Sequence, residues 1–459
     1  MVEVGTFHNG STNIGLKRLE SGHIIPDADF DERRADAREV ARDQIEHGIN
    51  AEKAGLDRVY FTEHHFQPMG LEFSTNPLMS QMQVARETDH VKLAQISNII
   101  VWHDPVRLAE QTALLDVMSD GRVEVGIGRG YQPRENEVFG QYWGGTIQSQ
   151  EQNRVSFEEK FEILKQAWTE DLFSHHGEYH QIPPAHTKWH HGQEKQYLAD
   201  DVTSYDVDDM LEWIEEEDEY SSGGQSVTGG RSRLKTLNVL PKPVQEPFPQ
   251  LWQPINSSRS VKWAARNGVN PIITLGPAKR ISPIVETYYE AAEEAGWPDV
   301  RPEYDGEPFA YGWDEERHRG VAIYRPVFNT EHGTDEQYER FKMGQEFLWQ
   351  WFDAFFGLER MLSMDDDEVD ALRDRRDLAE DDYLTPDMQL LKEKQVAIVG
   401  DSEEIADQLV GLGEDCGYED FNVAGVFECA GLSGEEIDGQ MEVFGEEVVP
   451  YLEGEYPSP

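Results

Sequence analysis

Short apolar runs alternate with stretches of helical periodicity through the first 170 residues. Val2–Phe7 has the apolar alternation of a strand, and a loop holding Asn9, Gly10 and Gly15 follows it. Asp31–Ala54 carries a helical pattern that stops at Gly55, a residue that accepts the left-handed cap conformation. Arg58–Thr62 is a second strand, Asn76–Arg86 a helix, and Val91–Val101 a third strand. Pro105 opens the helix Val106–Met118, where its missing N–H loses no hydrogen bond. Arg122–Ile127 is a fourth strand and Gln150–Glu170 a fourth helix.

The alternation breaks over residues 174–250, which mix six histidines, an acidic run, Ser221-Ser222-Gly223-Gly224 and several prolines. An irregular insertion of about 185–245 is expected there, as an excursion or lid without its own core. The pattern resumes with the strand Gln250–Ile255, the helix Ser257–Asn267, the strand Asn270–Leu275 and a helix at about 279–295. A strand at Gly320–Phe328 and a helix at Asp335–Phe356 follow, then an acidic insertion of about 361–394. Asp401-Ser402-Glu403-Glu404 caps the helix Glu404–Leu412, Phe421–Phe427 is the last strand and Glu435–Val449 the last helix. About eight strand–helix units imply parallel pairing with right-handed crossovers. Alternation alone suits a closed barrel and an open doubly wound sheet equally. A barrel with insertions accommodates residues 1–459 as one domain.

Composition narrows the setting. Ninety acidic residues against forty basic ones give a formal charge of −50 over 459 residues. The screening length falls from roughly 30 Å at 0.01 M salt to about 3 Å at 1 M, so such a surface is self-repelling in dilute buffer and tolerable in brine. The acids are scattered through the chain, with runs such as Glu215-Glu216-Glu217-Asp218 and Asp365-Asp366-Asp367-Glu368, rather than gathered in one tail. A halophilic cytoplasm is the expected setting, and a nucleic-acid partner is disfavoured because phosphate would be repelled. Two cysteines, Cys416 and Cys429, have no metal-binding spacing and suit a reducing cytosol. No secretory leader or membrane span is expected.

Three segments at predicted strand ends could carry chemistry. Tyr60-Phe61-Thr62-Glu63-His64-His65-Phe66 ends a strand in an acid and two histidines; histidine titrates near neutrality, and an adjacent carboxylate can fix its tautomer. Ordinary polar loop residues would give the same pattern. The second segment runs from Ser119-Asp120-Gly121-Arg122 to Gly126-Ile127-Gly128-Arg129-Gly130-Tyr131. Its glycines permit close backbone approach and Arg129 suits an anion, but Tyr131-Gln132-Pro133-Arg134 does not open a helix at once, unlike a dinucleotide fingerprint. The third, Asn256-Ser257-Ser258-Arg259-Ser260, is either an anion site at a helix N-terminus or a simple cap. His175, His176, His180, His186, His190 and His191 raise a metal site as an alternative, but none is expected. Cys429 reads as small core packing.

The order and spacing of these blocks resemble the bacterial luciferase family of flavin-dependent oxidoreductases. The resemblance runs through Gly55–Phe66, Asn76-Pro77, His103-Asp104-Pro105-Val106-Arg107-Leu108-Ala109-Glu110-Gln111, Ser119–Tyr131 with Phe139-Gly140, and Trp263-Ala264-Ala265-Arg266-Asn267-Gly268. It covers about two-thirds of the chain and implies an α/β fold, a (β/α)8 TIM barrel with insertions, that binds reduced FMN or, in some branches, the deazaflavin coenzyme F(420). By position, His64 matches the family's active-site histidine, with Glu63 and His65 beside it. Arg129 matches the arginine on the flavin phosphate, and Ser257, Ser258 and Ser260 fall at the phosphate-binding cap. Ile96-Ser97 matches the backbone behind the flavin ring, with Gly128 and Tyr131 nearby. Asn256 stands where the luciferase subunit has an acid, and Gly128 replaces luciferase's reactive cysteine, so light emission is not implied. Gly177–Pro184 resembles a hairpin common in the family.

The activity implied is that of a monooxygenase using reduced FMN and O2 on a small organic substrate, with His64 as general acid or base. A separate flavin reductase and a homo-oligomer, a dimer, are implied partners. Hydride transfer with the deazaflavin coenzyme is the alternative enzyme reading, and a non-catalytic barrel subunit the alternative outside catalysis.

Overall fold

A computed structural model describes residues 2–184, 187–189, 214–216, 232–255, 257–274, 276–295, 320–363, 367–371, 386–416 and 421–455. Eight parallel strands close on themselves: β1 (Val2–His8), β2 (Arg58–Phe61), β3 (Lys92–Gln95), β4 (Val123–Gly128), β5 (Leu251–Pro254), β6 (Val269–Ile273), β7 (Val321–Asn329) and β8 (Phe421–Val426). The ring closes where β4 pairs β5 (Leu251 opposite Val125) and β8 pairs β1 (Val2 opposite Phe421). This is a TIM barrel, which removes the open-sheet alternative. Strands covered on both faces are apolar almost throughout, as in Val321–Asn329, where every residue is buried.

Helices sheathe the ring: α1 (Phe30–Lys53), α2 (Pro77–Glu87), α3 (Pro105–Met118), α4 (Pro133–Phe139), α5 (Gln150–Thr169), α6 (Ser258–Arg266), α7 (Ala278–Glu294), α8 (Asp335–Phe356), α9 (Ser402–Cys416) and α10 (Gly434–Val443). Their starts follow local chemistry. Asp29 and Glu32 form a capping box on α1, and α3 begins at Pro105 with the Asp104 carboxylate accepting from the Arg107 N–H at 3.0 Å. The main core lies between strands and helices, and a second apolar cluster fills the barrel with Phe7, Tyr60, Trp252 and Tyr324 among its members.

The barrel's N-terminal end is plugged by charge. Arg58, 1% exposed, donates to Glu124 through Nε (2.6 Å) and Nη2 (3.0 Å) and to Glu3 at 2.6 Å; Trp252 Nε1 also donates to Glu124, at 2.7 Å. Lys92 reaches Glu3 at 2.8 Å. With this end closed, the free space lies at the other.

The structure departs from the expected elements in several places. The run Val91–Val101 is not one strand: after β3 come a bulge, a two-residue strand at Asn98–Ile99 and a 3-10 turn over Ile100–Trp102. The bulge is accommodated because Gly126 has no Cβ, which would overlap the Gln95 carbonyl oxygen. A helix does follow Tyr131-Gln132, namely α4 with Pro133 at its start. A short strand, Ile398–Gly400, extends β7 and was not anticipated. The hairpin expected at Gly177–Pro184 is present, with His175 opposite Ile182. Of the expected insertions, Lys188–Trp189, Ile214–Glu216 and Ser232–Leu234 form a small antiparallel sheet, and Met388–Glu393 is helical. Leu275, at the end of one expected strand, lies outside the described residues. Among the described residues no helix is long and apolar enough to cross a membrane.

Candidate active site

The loops at the C-terminal ends of the barrel strands enclose a cavity of about 350 Å³. Phe7 comes from β1, Thr62–His64 follow β2, Ile96–Ser97 follow β3, Gly128–Tyr131 end β4 and Gln253–Ile255 end β5. Phe352 and Phe356 of α8 close the cavity from outside the barrel. The three chain-distant segments singled out in the sequence therefore meet in one place.

One end of the cavity is built for an anion. Arg129 lies beside Ser257 and Ser260, where the Ser257 hydroxyl caps α6 by accepting from the Ser260 N–H (3.3 Å) and donates to the Ser260 hydroxyl (3.0 Å). The first N–H groups of a nine-residue helix point toward this end, as does its positive dipole end. Burial lowers the pKa of Arg129, and the neighbouring guanidiniums of Arg259 and Arg154 lower it further. A bound anion would relieve that crowding. A second cavity of about 280 Å³ adjoins here, sharing Arg129, Gln253, Ser257 and Ser260 and adding Arg154 and Arg259 together with Glu151 and Glu158.

The other end holds His64 between two buried carboxylates. His64 Nε2 lies 3.7 Å from Glu72 Oε1 and its Nδ1 lies 3.6 Å from Glu135 Oε1; the carboxylate side chains are 1% and 0% exposed. Burial opposes charging the ring, but Glu72 and Glu135 outweigh it and raise the histidine's pKa. Tyr131 donates its hydroxyl to Glu72, and burial together with that carboxylate's charge holds the phenol well above its ordinary pKa.

Between the two ends, Ser97 Oγ and Gln253 Oε1 are buried polar atoms without a hydrogen-bond partner among the described residues. Native proteins seldom leave such groups unpaired, so a polar ligand at mid-cavity would complete them. A phosphate-tailed ligand with a polar-edged ring fits this donor set: cations and hydroxyls at one end, orphaned hydrogen-bonding atoms in the middle and an imidazole at the other.

The remaining predicted residues fall as follows. Glu63 borders the cavity, but its carboxylate is engaged by His103 Nε2 (2.8 and 3.0 Å) and by the Ile99 N–H (2.7 Å). Burial works to raise its pKa, and His103, His65 and the Ile99 N–H together outweigh it, holding the carboxyl at about 2. His65 turns away from the cavity and packs against Phe66, Trp102 and Phe139. Ser258 is exposed as the first residue of α6 and does not line the cavity. Asn256 lies outside the described residues, as do His186, His190 and His191. His175 sits 3.4 Å from Glu159. Among the described residues, one group has donor atoms close enough for a metal ion, the exposed Glu331, His332 and Glu447, and none of the three lines the cavity. Cys429 is buried, which pushes its thiol up to about 12 and makes it a poor nucleophile. Sequence reasoning did not single out Glu72, Glu135, Gln253 or Arg154 as site residues.

Residues 19–199 match the model of a family described as luciferase-like monooxygenase. Over 404 residues the chain is 22% identical to the oxygenase component of a flavin-dependent trigonelline monooxygenase from Acinetobacter baylyi, covering 87% of this chain and 86% of that protein. It is 27% identical over 147 residues to an F420-dependent glucose-6-phosphate dehydrogenase from Amycolatopsis mediterranei, 31% of this chain and 43% of that one. The oxygenating constituent of 3,6-diketocamphane monooxygenase from Pseudomonas putida, solved in complex with FMN, shares the fold with a TM-score of 0.62 at 18% identity, over 98% of this chain and 99% of that one. The chain spans 39% and 58% of the length of the first two curated relatives it matches, both from Sinorhizobium fredii.

Proposed function

We propose that the chain is a luciferase-like oxygenase that uses reduced FMN and O2 to oxidise a small organic substrate at the barrel mouth, in keeping with the family match over residues 19–199 and the similarity to a flavin-dependent oxygenase component. The observation that carries this reading is the single cavity with Arg129, Ser257 and Ser260 at one end and His64 at the other. Arg129 and the two serines would hold the flavin phosphate, Ser97 and Gln253 would meet the polar edge of the ring, and Gly128 would let the ring lie against backbone. When bound, reduced FMN supplies the electron pair and activates O2. His64 holds or moves the proton the reaction requires, while Phe352, Phe356 and Tyr131 exclude water from the reacting centre.

A separate reductase would deliver the reduced flavin, in keeping with the relative named as an oxygenase component. Met79 on α2 and Leu114, Val117 and Met118 on α3 are exposed, and offer an apolar face for the homodimer. A salt-rich cytoplasm is the proposed setting, on the strength of the −50 charge. The test is oxygen uptake with a supplied flavin reductase, NADH and candidate substrates at molar salt. Substrate-dependent uptake with an oxygenated product supports the reading; oxidation of an alcohol without oxygen overturns it.

That second outcome is the deazaflavin reading, dehydrogenation or reduction with coenzyme F(420). The adjoining cavity favours it, because it leaves room beyond Arg129 for an anionic tail longer than one phosphate, with Arg154 and Arg259 there shared with Glu151 and Glu158.

A further inference from the structure

We propose that Glu72 and Glu135 are positioning residues that hold His64 as an imidazolium, so that the ring meets its ligand as a proton donor and not as a base. Both ring nitrogens face carboxylate oxygens, Nε2 toward Glu72 and Nδ1 toward Glu135, at 3.7 and 3.6 Å. A neutral imidazole carries a lone pair on one nitrogen, and in either tautomer that lone pair would point at an anion. Only the doubly protonated ring presents an N–H to each side.

Both carboxylates accept hydrogen bonds from neighbouring donors. Glu72 accepts from the Tyr131 hydroxyl, from Gln132 Nε2 and from Gln67 Nε2 at 3.2 Å. Glu135 accepts from the His65 backbone N–H at 2.6 Å and from Gln67 Nε2 at 3.3 Å. Glu72 is engaged at both oxygens, so adding a proton there would disturb at least one of these bonds, whereas Glu135 takes both of its bonds at Oε1. Two nearly unexposed carboxylates on either side of one imidazole favour a cation between them.

The other charged groups around the ring do not supply it. Glu63, on the same loop, is committed to His103, and His65 lies 3.5 Å from that same acid. Tyr131 stands edge-on, with ring centroids 5.7 Å apart, and stays neutral. Arg134 donates to Gln67 and lies over Trp351. His64 borders the cavity and is the group left to balance the pair. The raised pKa of His64 agrees with this geometry.

This inference rests on the proposed function only for the use to which the proton is put, since the protonation state itself can be read in the flavin-free protein. The experiment is a 13C NMR titration of histidine-labelled full-length protein at molar salt, with the His64 signal assigned by its loss in His64→Asn. His64 should titrate above the ordinary histidine value of about 6.5, and Glu135→Gln, close in shape, should lower it by about one pH unit or more. Glu72→Gln is a second, independent variant with the same expected direction. A wild-type His64 titrating at or below 6.5, or one unmoved by both glutamine variants, would overturn the proposal. If His64 titrates as expected but the protein binds no flavin, the carboxylate clamp stands and the functional reading falls.

Discussion

Ser97 Oγ occupies the space that a Cβ on Gly128 would need, and Ile99 Cδ1 lies 2.7 Å from that same position. The side chains of Ser97 and Ile99 therefore pack directly against the bare backbone of Gly128, and the three residues line the cavity together. Gly128→Ala forces one of those side chains aside. Overpacking of this kind costs about 1–3 kcal/mol, so the variant should show a lower denaturation midpoint and weaker flavin binding than wild type. Equal midpoints and equal affinity would show that this contact is softer than described.

The plug at the opposite end sets stability rather than ligand binding. Arg58→Met leaves the buried Glu124 without its main counter-charge and the half-buried Glu3 with Lys92 alone. Removing one partner of a buried ion pair typically costs about 3–5 kcal/mol. Chemical denaturation at molar salt should show a loss of that order. Replacing Arg58 and Glu124 together by apolar residues of similar volume should recover much of it.

Glu63 provides a pH dependence with a definite sign. Its folded-state pKa, about 2, lies below the ordinary value of about 4.3, so its contribution is present above that ordinary value and is lost as pH falls toward 2. Glu63→Gln should flatten the fall of the melting temperature between about pH 4.5 and 2 relative to wild type. An unchanged slope would mean that the contacts to His103 and the Ile99 N–H do not stabilise the ionised form.

For the chain as a whole, the −50 charge predicts a melting temperature that rises with KCl from about 0.1 M to 2 M, as screening shortens from about 10 Å to below 3 Å. A melting temperature independent of salt would remove the argument for a salt-rich setting.

Much of this arrangement was legible in the sequence because the informative residues sit where the strand pattern ends. His64, Arg129 and Ser257 each follow a predicted strand, and a parallel barrel gathers strand ends on one face. Closure of the sheet was not legible from alternation, and it took the motif order to favour the barrel. The carboxylates beside His64 left no mark: Glu72 lies in a loop and Glu135 in a seven-residue helix, and two acids among ninety carry no signal until folding sets them against a histidine. Arg154 was hidden differently. Its contacts to Glu151 and Glu158 are the i,i+3 and i,i+4 pairs of any solvated helix face, and only tertiary packing brings it toward Arg129. The bulge at Ile96–Ser97 was missed because polar residues are spread through the whole run Val91–Val101, as Lys92, Gln95, Ser97 and Asn98, and none of them marks where the backbone leaves the sheet.

The most direct test is a titration of FMN, oxidised and reduced, into the wild-type protein and Arg129→Ala at molar salt, with circular dichroism to confirm that both are folded. The account predicts one FMN per chain for the wild type and an affinity about 10- to 100-fold weaker in the variant, the loss of about 1.5–3 kcal/mol expected when a charge-assisted hydrogen bond is removed. Equal affinity in the two folded proteins, or no FMN bound by the wild type, would contradict it.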